Sequence, residues 1–583
     1  MLDALAQGTS DPAVVEQLKL ANRSRHLTLL RAVLDRARIL QPSMGPLPPM
    51  DEAWTLLAAA QKQDAKAADL LLTHPQTGLW AARVLKRLGE PEAPVGTTPL
   101  WAELGYFHLL ATAAAIRAKH DFRFRVPAWR GIVMLPTLGL ADVQSRREWD
   151  LADIHAEGRR VLVRSAAGSV HLPDDRATDG VGWVALRKLA AGESELWFDD
   201  ISPFRELNGL IPPQRLPARE MALWANYLSE TWQLIAEHHP AIAEELVVGL
   251  NTLAPRAVVD RNSPFSSSHP DAFGFVVLSL PVHATAFAAT LIHEFQHSKL
   301  GVLLTVVDFL EPGHGNDIPQ LYSPWRTDPR PATGILHGVF SFLGVTAFYR
   351  KHHAVVTGPA ARAAQFEFAY HHEQSARAAE TLLTEANPTA LGRRFLSVTK
   401  KQLNDWRTDP LPTDIRTAAR LANLDHWLSW RMRHLQPPSA MVKKLAQAWL
   451  RHRPRPAIRP MSPELAPSNV LQTHARLALT RIRLNEPDLY NVYRAEPELA
   501  MTEIAGATQA DIALVNGDTE TAAALYNREI IERPDSVTSW AGLALARRDK
   551  SLIQHPELVF AVYQRIRTRT GASDPGHLAR WFS

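Results

Sequence analysis

The chain has 583 residues, 46% hydrophobic and 21% charged, ordinary proportions for a globular protein with a sizeable core, and its length predicts two to four domains. Lys and Arg total 64 against 60 Asp and Glu, a near balance that leaves no basic footprint for a nucleic-acid partner. With no cysteine, disulfides, thiolate metal sites and thiol nucleophiles are excluded, so any metal must be held by Asp, Glu or the 24 histidines.

The N-terminal stretch MLDALAQGTSDPAVVEQ carries early acidic residues and no basic segment followed by an apolar run, so no signal peptide is expected. Apolar runs such as LATAAAI (110–116) are too short to span a bilayer. The expectation is a cytoplasmic chain with no membrane association.

Helical spacing of apolar residues predicts helices over 1–40 and 51–90, separated by the Pro-rich QPSMGPLPPM (41–50), and an Ala/Leu-rich helix over 101–119. The pattern then changes to alternation and short β-branched runs in FRFRVPAWRGIVMLPTLGL (122–140), RRVLVRSAAGSVHL (159–172) and ELWFDDISPF (195–204), which predict strands. Helical spacing returns over 217–250, with Trp224, Leu228, Trp232, Leu234 and Ile235 on one face. DAFGFVVLSL (271–280) reads as a buried strand. An apolar helix over 287–310 and a second over 334–353 follow, and beyond 360 the chain is almost wholly helical. The expected fold class is α+β, predominantly α-helical. Four regions are expected: helical 1–120, β-rich 121–215, a metal-binding core at 216–400, and helical 401–583. The last contains a tetratricopeptide-like hairpin at 510–549, with Gly517 and Asp518 at its turn, Ala522 and Tyr526 as packing positions, and Trp540, Gly542 and Leu543 opening the next helix.

The helix over 287–310 carries HEFQH (293–297). Two imidazoles at i and i+4, His293 and His297, share a helical face and can bind one ion, with Glu294 beside them as base or supporting group. The neighbours are Ala288, Ala289, Leu291, Ile292, Phe295, Leu300, Val302 and Leu303, and burying two His and a Glu among them without a common partner is costly. The alternative is a pair of histidines satisfied by nearby carbonyls. A metzincin would place Gly at 300 and His at 303, where this chain has leucines. A gluzincin would place Glu on a following helix, yet the helix over 334–353 has neither Glu nor Asp. That helix does contain His337, the preferred third ligand, beside Gly338, which permits close approach of another helix. Asp308, Glu311, His314, Asp317 and Asp328 are further candidates, and a satisfied core histidine is the alternative for His337. PWRTDPRP (324–331) sets Arg326 and Arg330 on a proline-stiffened loop, a pair suited to gripping a dicarboxylate, or else pairing with Asp328 to pin the loop.

The blocks FDDISPFRELNGL, SSSHPDAFGFVVLSLP, LIHEFQHSKLG and LYSPWRTDPRPATGILHGVFSFLGVTAFY resemble the HExxH-motif peptide-modification proteins of bacterial ribosomal peptide natural-product clusters. The opening DALAQGTSDPAVVEQLKLANRSRHLTLLRAVLD and the terminal NGDTETAAALYNREI and SWAGLALA extend the resemblance over nearly the whole chain. It implies a non-haem Fe(II), 2-oxoglutarate-dependent enzyme that hydroxylates a β-carbon of a precursor peptide. His293, His297 and His337 would then hold iron, and Arg326 or Arg330 would grip the distal carboxylate of 2-oxoglutarate. Glu294 would support the site from outside or join as a ligand, and three histidines would depart from the usual iron triad, which includes a carboxylate. The rivals are a zinc metallopeptidase with Glu294 as its base, and a non-catalytic peptide-binding scaffold. A precursor peptide is the expected partner, and a homo-oligomer is compatible with the sequence.

Overall fold

In a computed structural model of the chain, the described residues are 1–8, 11–39, 45–89, 98–206, 209–258, 264–311, 319–457, 463–466, 468, 473–570 and 574–582. The fold class is α+β and predominantly helical, as expected. Two compact units divide the chain: Met1 with Ser10–Val307, and Leu2–Thr9 with Asp308–Ser583. The expected core at 216–400 therefore contributes to both.

The first unit opens with helices whose boundaries are set by capping. The single helix expected over 51–90 is three: Met50–Gln63, Ala65–Leu72 and Pro75–Gly89. Asp64 leaves the helical region and its carboxylate accepts from the amides of Lys66 (3.0 Å) and Ala67 (3.1 Å), satisfying orphan donors of the next helix. Pro240 divides the 217–250 stretch by another route: it has no N–H to continue the preceding helix, so Ala218–His238 ends and Pro240 takes the first position of Pro240–Gly249.

Seven antiparallel strands follow: β1 (Phe122–Trp129), β2 (Ile132–Leu135), β3 (Gly139–Asp142), β4 (Trp149–Glu157), β5 (Arg160–Arg164), β6 (Ser169–His171) and β7 (Trp183–Ala185), in the order β6-β5-β4-β1-β2-β3-β7. The two-residue period of FRFRV explains the faces. Arg123 and Arg125 point to solvent, whereas Val126, Ala128, Ile154 and Val163 join the helices' buried core. The sheet curls until the Ser165 hydroxyl donates to Val143 O (3.1 Å), so it is nearly closed.

A second sheet contains β8 (Arg187–Ala191), β9 (Ser194–Phe198), β10 (Thr252–Arg256), β11 (Ser266–Ser267) and β12 (Phe275–Ser279), in the order β11-β12-β10-β9-β8. β9, β10 and β12 are mutually parallel, and β11 caps the edge antiparallel to β12. All five residues of β12 are buried, which explains its unbroken apolar run FVVL. The motif helix, Ala284–Leu303, leaves this sheet after β12.

The second unit is almost wholly helical. Its apolar helix Ala332–His352 packs lengthwise on Gly358–Thr384. Contrary to the expectation that no apolar segment could span a bilayer, Ala332–His352 is long and apolar enough to do so by length and composition, the sole such helix among the described residues. Its Gly, Ser and Thr positions hide that length from a count of unbroken apolar runs, and 56% of its apolar window is buried inside the protein. The tetratricopeptide-like segment forms helices Gln509–Asn516, Thr519–Glu532 and Val537–Arg547. Gly517 closes the first in the left-handed region, Asp518 caps the second, and Tyr526 lies flat against Gly542.

Candidate metal centre

The motif helix is held on several sides within the first unit. Its first turn is capped by His283, whose Nδ1 accepts from Ala286 N (3.1 Å). Phe287 meets Trp224 edge-on with ring centroids 6.0 Å apart, and Trp224 in turn packs on Phe198 of β9. Phe295 lies over Gly249, where a β-carbon would sit 2.2 Å from its ring, and against Phe273 at 5.9 Å. Gly301 touches Pro270. Lys299, two residues past the motif, is buried and paired with buried Glu245 at 2.6 Å, tying the helix to Pro240–Gly249.

On this frame His293 and His297 stand one turn apart with their Nε2 atoms 3.1 Å from each other and ring planes at 80°. At metal–nitrogen bond lengths of about 2.0–2.1 Å, one divalent cation could bridge that separation. The rings are part-buried, whereas Glu294 is buried at 3% exposure. Its Oε1 lies 4.0 Å from His293 Nε2. The carboxylate accepts from the Ser266 hydroxyl on Oε1 (2.7 Å) and from the Ser268 hydroxyl on Oε2 (2.6 Å). Among the described residues no lysine or arginine lies within ion-pair distance of it. A buried anion beside two converging imidazoles calls for a cation. The donor chemistry thus fits a divalent metal at His293 and His297.

The other expected site residues lie in the second unit. His337 is on Ala332–His352, half-buried, and desolvation lowers its pKa, which favours the neutral ring. Gly338 does permit a close approach, though by an indole and not by a helix: a β-carbon there would meet Trp325 at 2.5 Å, and Trp325 stacks on Phe342 at 4.9 Å and 2°. The arginine loop is closed at its base, where Gln320 and Leu321 pair antiparallel with Pro331 and Arg330. Gln374 Nε2 donates to Pro324 O (3.0 Å) and His434 Nε2 to Thr327 O (2.7 Å). Arg326 and Arg330 both reach Asp328, at 3.4 and 3.0 Å, so the three form one charged group. Asp308 and Glu311 precede the loop, and His314 and Asp317 lie outside the described residues. Among the described residues no three His, Asp or Glu side chains close on one point.

Sequence reasoning missed Ser266 and Ser268. The signal was present in SSSHPDAF: serines at i and i+2 share one face of an extended strand. Glu245, the partner of Lys299, carried no comparable signal because it lies 54 residues away. No protein-family model matches the chain, and no curated protein matches it.

Proposed function

We propose that this protein is a non-haem Fe(II), 2-oxoglutarate-dependent hydroxylase acting on a β-carbon of a precursor peptide. The observation that supports it is the pair of converging Nε2 atoms beside a buried carboxylate with no Lys or Arg to balance it among the described residues. Bound iron with 2-oxoglutarate supplies the oxidative decarboxylation that yields succinate and transfers one oxygen atom to the peptide. The chain's own part is to hold and orient. His293 and His297 supply two ligands, His337 is the proposed third, and neutral imidazoles leave the ion its charge for anionic cosubstrate. Arg326 and Arg330, on a loop pinned by Gln374 and His434, offer guanidinium forks to a carboxylate.

The test incubates the full chain with Fe(II), 2-oxoglutarate and the precursor peptide encoded beside it, followed by mass spectrometry and succinate assay. A gain of one oxygen atom per peptide with matching succinate is expected. Peptide cleavage that depends on zinc and Glu294 would establish the metallopeptidase instead, and an unaltered peptide that stays bound would establish the scaffold. His337→Ala is expected to lose metal and activity together; full metal occupancy in that variant would assign the third ligand elsewhere.

A further inference from the structure

The serine pair has a role that the metal reading leaves open. Ser266 sits on the edge strand β11, which Phe265 extends at its start by exchanging hydrogen bonds with Ser279, and Ser268 is the residue just past the strand's end. Both hydroxyls reach the motif helix, an arrangement that residues two apart on extended backbone allow. Each hydroxyl takes a different oxygen of Glu294, at 2.7 and 2.6 Å. A carboxylate held at both oxygens cannot swing without breaking two charge-assisted hydrogen bonds inside a buried site, where each is at its strongest. A base that activates water, or a ligand that joins the ion, needs one of those oxygens.

We propose that Ser266 and Ser268 are positioning residues that clamp Glu294 out of the metal's coordination sphere, holding it as an outer anion beside His293 and His297. This rests on the metal reading of the site. Glu294 Oε1 lies 4.0 Å from His293 Nε2, so a device that fixes this side chain decides whether the motif helix presents two histidines or two histidines with a carboxylate. The edge strand and the residue just past it supply that device from 28 and 26 residues before Glu294.

Cobalt(II) alone, titrated into the full chain without peptide or 2-oxoglutarate, reads the ligand set through its visible bands and its dissociation constant. In S266A/S268A the freed carboxylate is expected to reach the ion, shifting the bands and tightening cobalt binding at least tenfold. S266T/S268T keeps both hydroxyls and is expected to restore the wild-type bands. In a Glu294→Ala background the same serine-to-alanine pair is expected to change nothing. The single variants S266A and S268A, each retaining one hydrogen bond, give the same shift at smaller size should the double variant fail to fold. Unchanged bands and affinity in the alanine variants, or an equal change without Glu294, would overturn the clamp while leaving the metal site intact. A wild-type chain that takes up no cobalt would overturn both. Hydroxylation with iron is a separate measurement, so its failure does not bear on the clamp.

Discussion

Replacing Lys299 by methionine tests how the metal-bearing helix is held. The Lys299 ammonium lies 2.6 Å from Glu245 Oε2, with the two residues 3% and 7% exposed. Burial lowers the pKa of Lys299, and Glu245 pulls it back upward. Lys299→Met fits the same slot but strips Glu245 of its buried cation, and breaking such a pair costs about 3–5 kcal/mol. For a unit of this size, with an unfolding entropy of about 2.1 cal/mol/K per residue, that is a fall in melting temperature of about 5–8 °C. Replacing both partners, Lys299→Met with Glu245→Leu, removes the charges together and is expected to return most of the loss. Thermal melts should be paired with hydrogen exchange of the peptides covering Ala284–Leu303, because a chain of two units need not unfold in one step. Exchange there should quicken in the single variant and recover in the double. A single variant within about 1 kcal/mol of wild type, or a double variant no better than the worse single, would refute the argument that this pair anchors the helix.

Asp328→Asn removes the acid shared by Arg326 and Arg330 and is expected to tighten 2-oxoglutarate binding severalfold by calorimetry, whereas Arg330→Ala weakens it; two unchanged constants would remove the loop from cosubstrate binding. Gly542→Ala places a β-carbon 2.3 Å from the Tyr526 ring and should cost about 1–3 kcal/mol, with faster exchange in Thr519–Glu532 as the local readout. Acid should destabilise both units. Burial pushes His74 and His426 down to about 3 and His108 to about 4. A lowered folded-state pKa means the unfolded chain binds more protons between that value and 6.5, so stability is full above 6.5 and falls on acidification. Each group costs about 2 kcal/mol by pH 5, and a melting temperature constant from pH 7.5 to 5 would contradict their burial as neutral rings.

Local periodicity carries information only over a few turns or strand lengths, and the sequence was legible at that range. The alternation in FRFRV, the buried run FVVL, the helix carrying His293 and His297, and the Gly517–Asp518 turn all follow from spacing and capping within about ten residues. The helix break at Asp64 escaped a reading of apolar spacing because a cap is a hydrogen-bonding event with no apolar signature, and the break at Pro240 escaped it because a missing N–H leaves the apolar period unchanged. The spacing of the two imidazoles was decided by the sequence, since i and i+4 on a helix leave them little other choice. Tertiary structure alone decided what surrounds them: that Ser266 and Ser268 grip Glu294, that Glu245 meets Lys299 across 54 residues, that Trp325 and not a helix fills the space at Gly338, and that Asp328 binds both arginines. Those contacts depend on how strands and helices close over long loops of chain, and such closure leaves no periodic trace in the residues it joins.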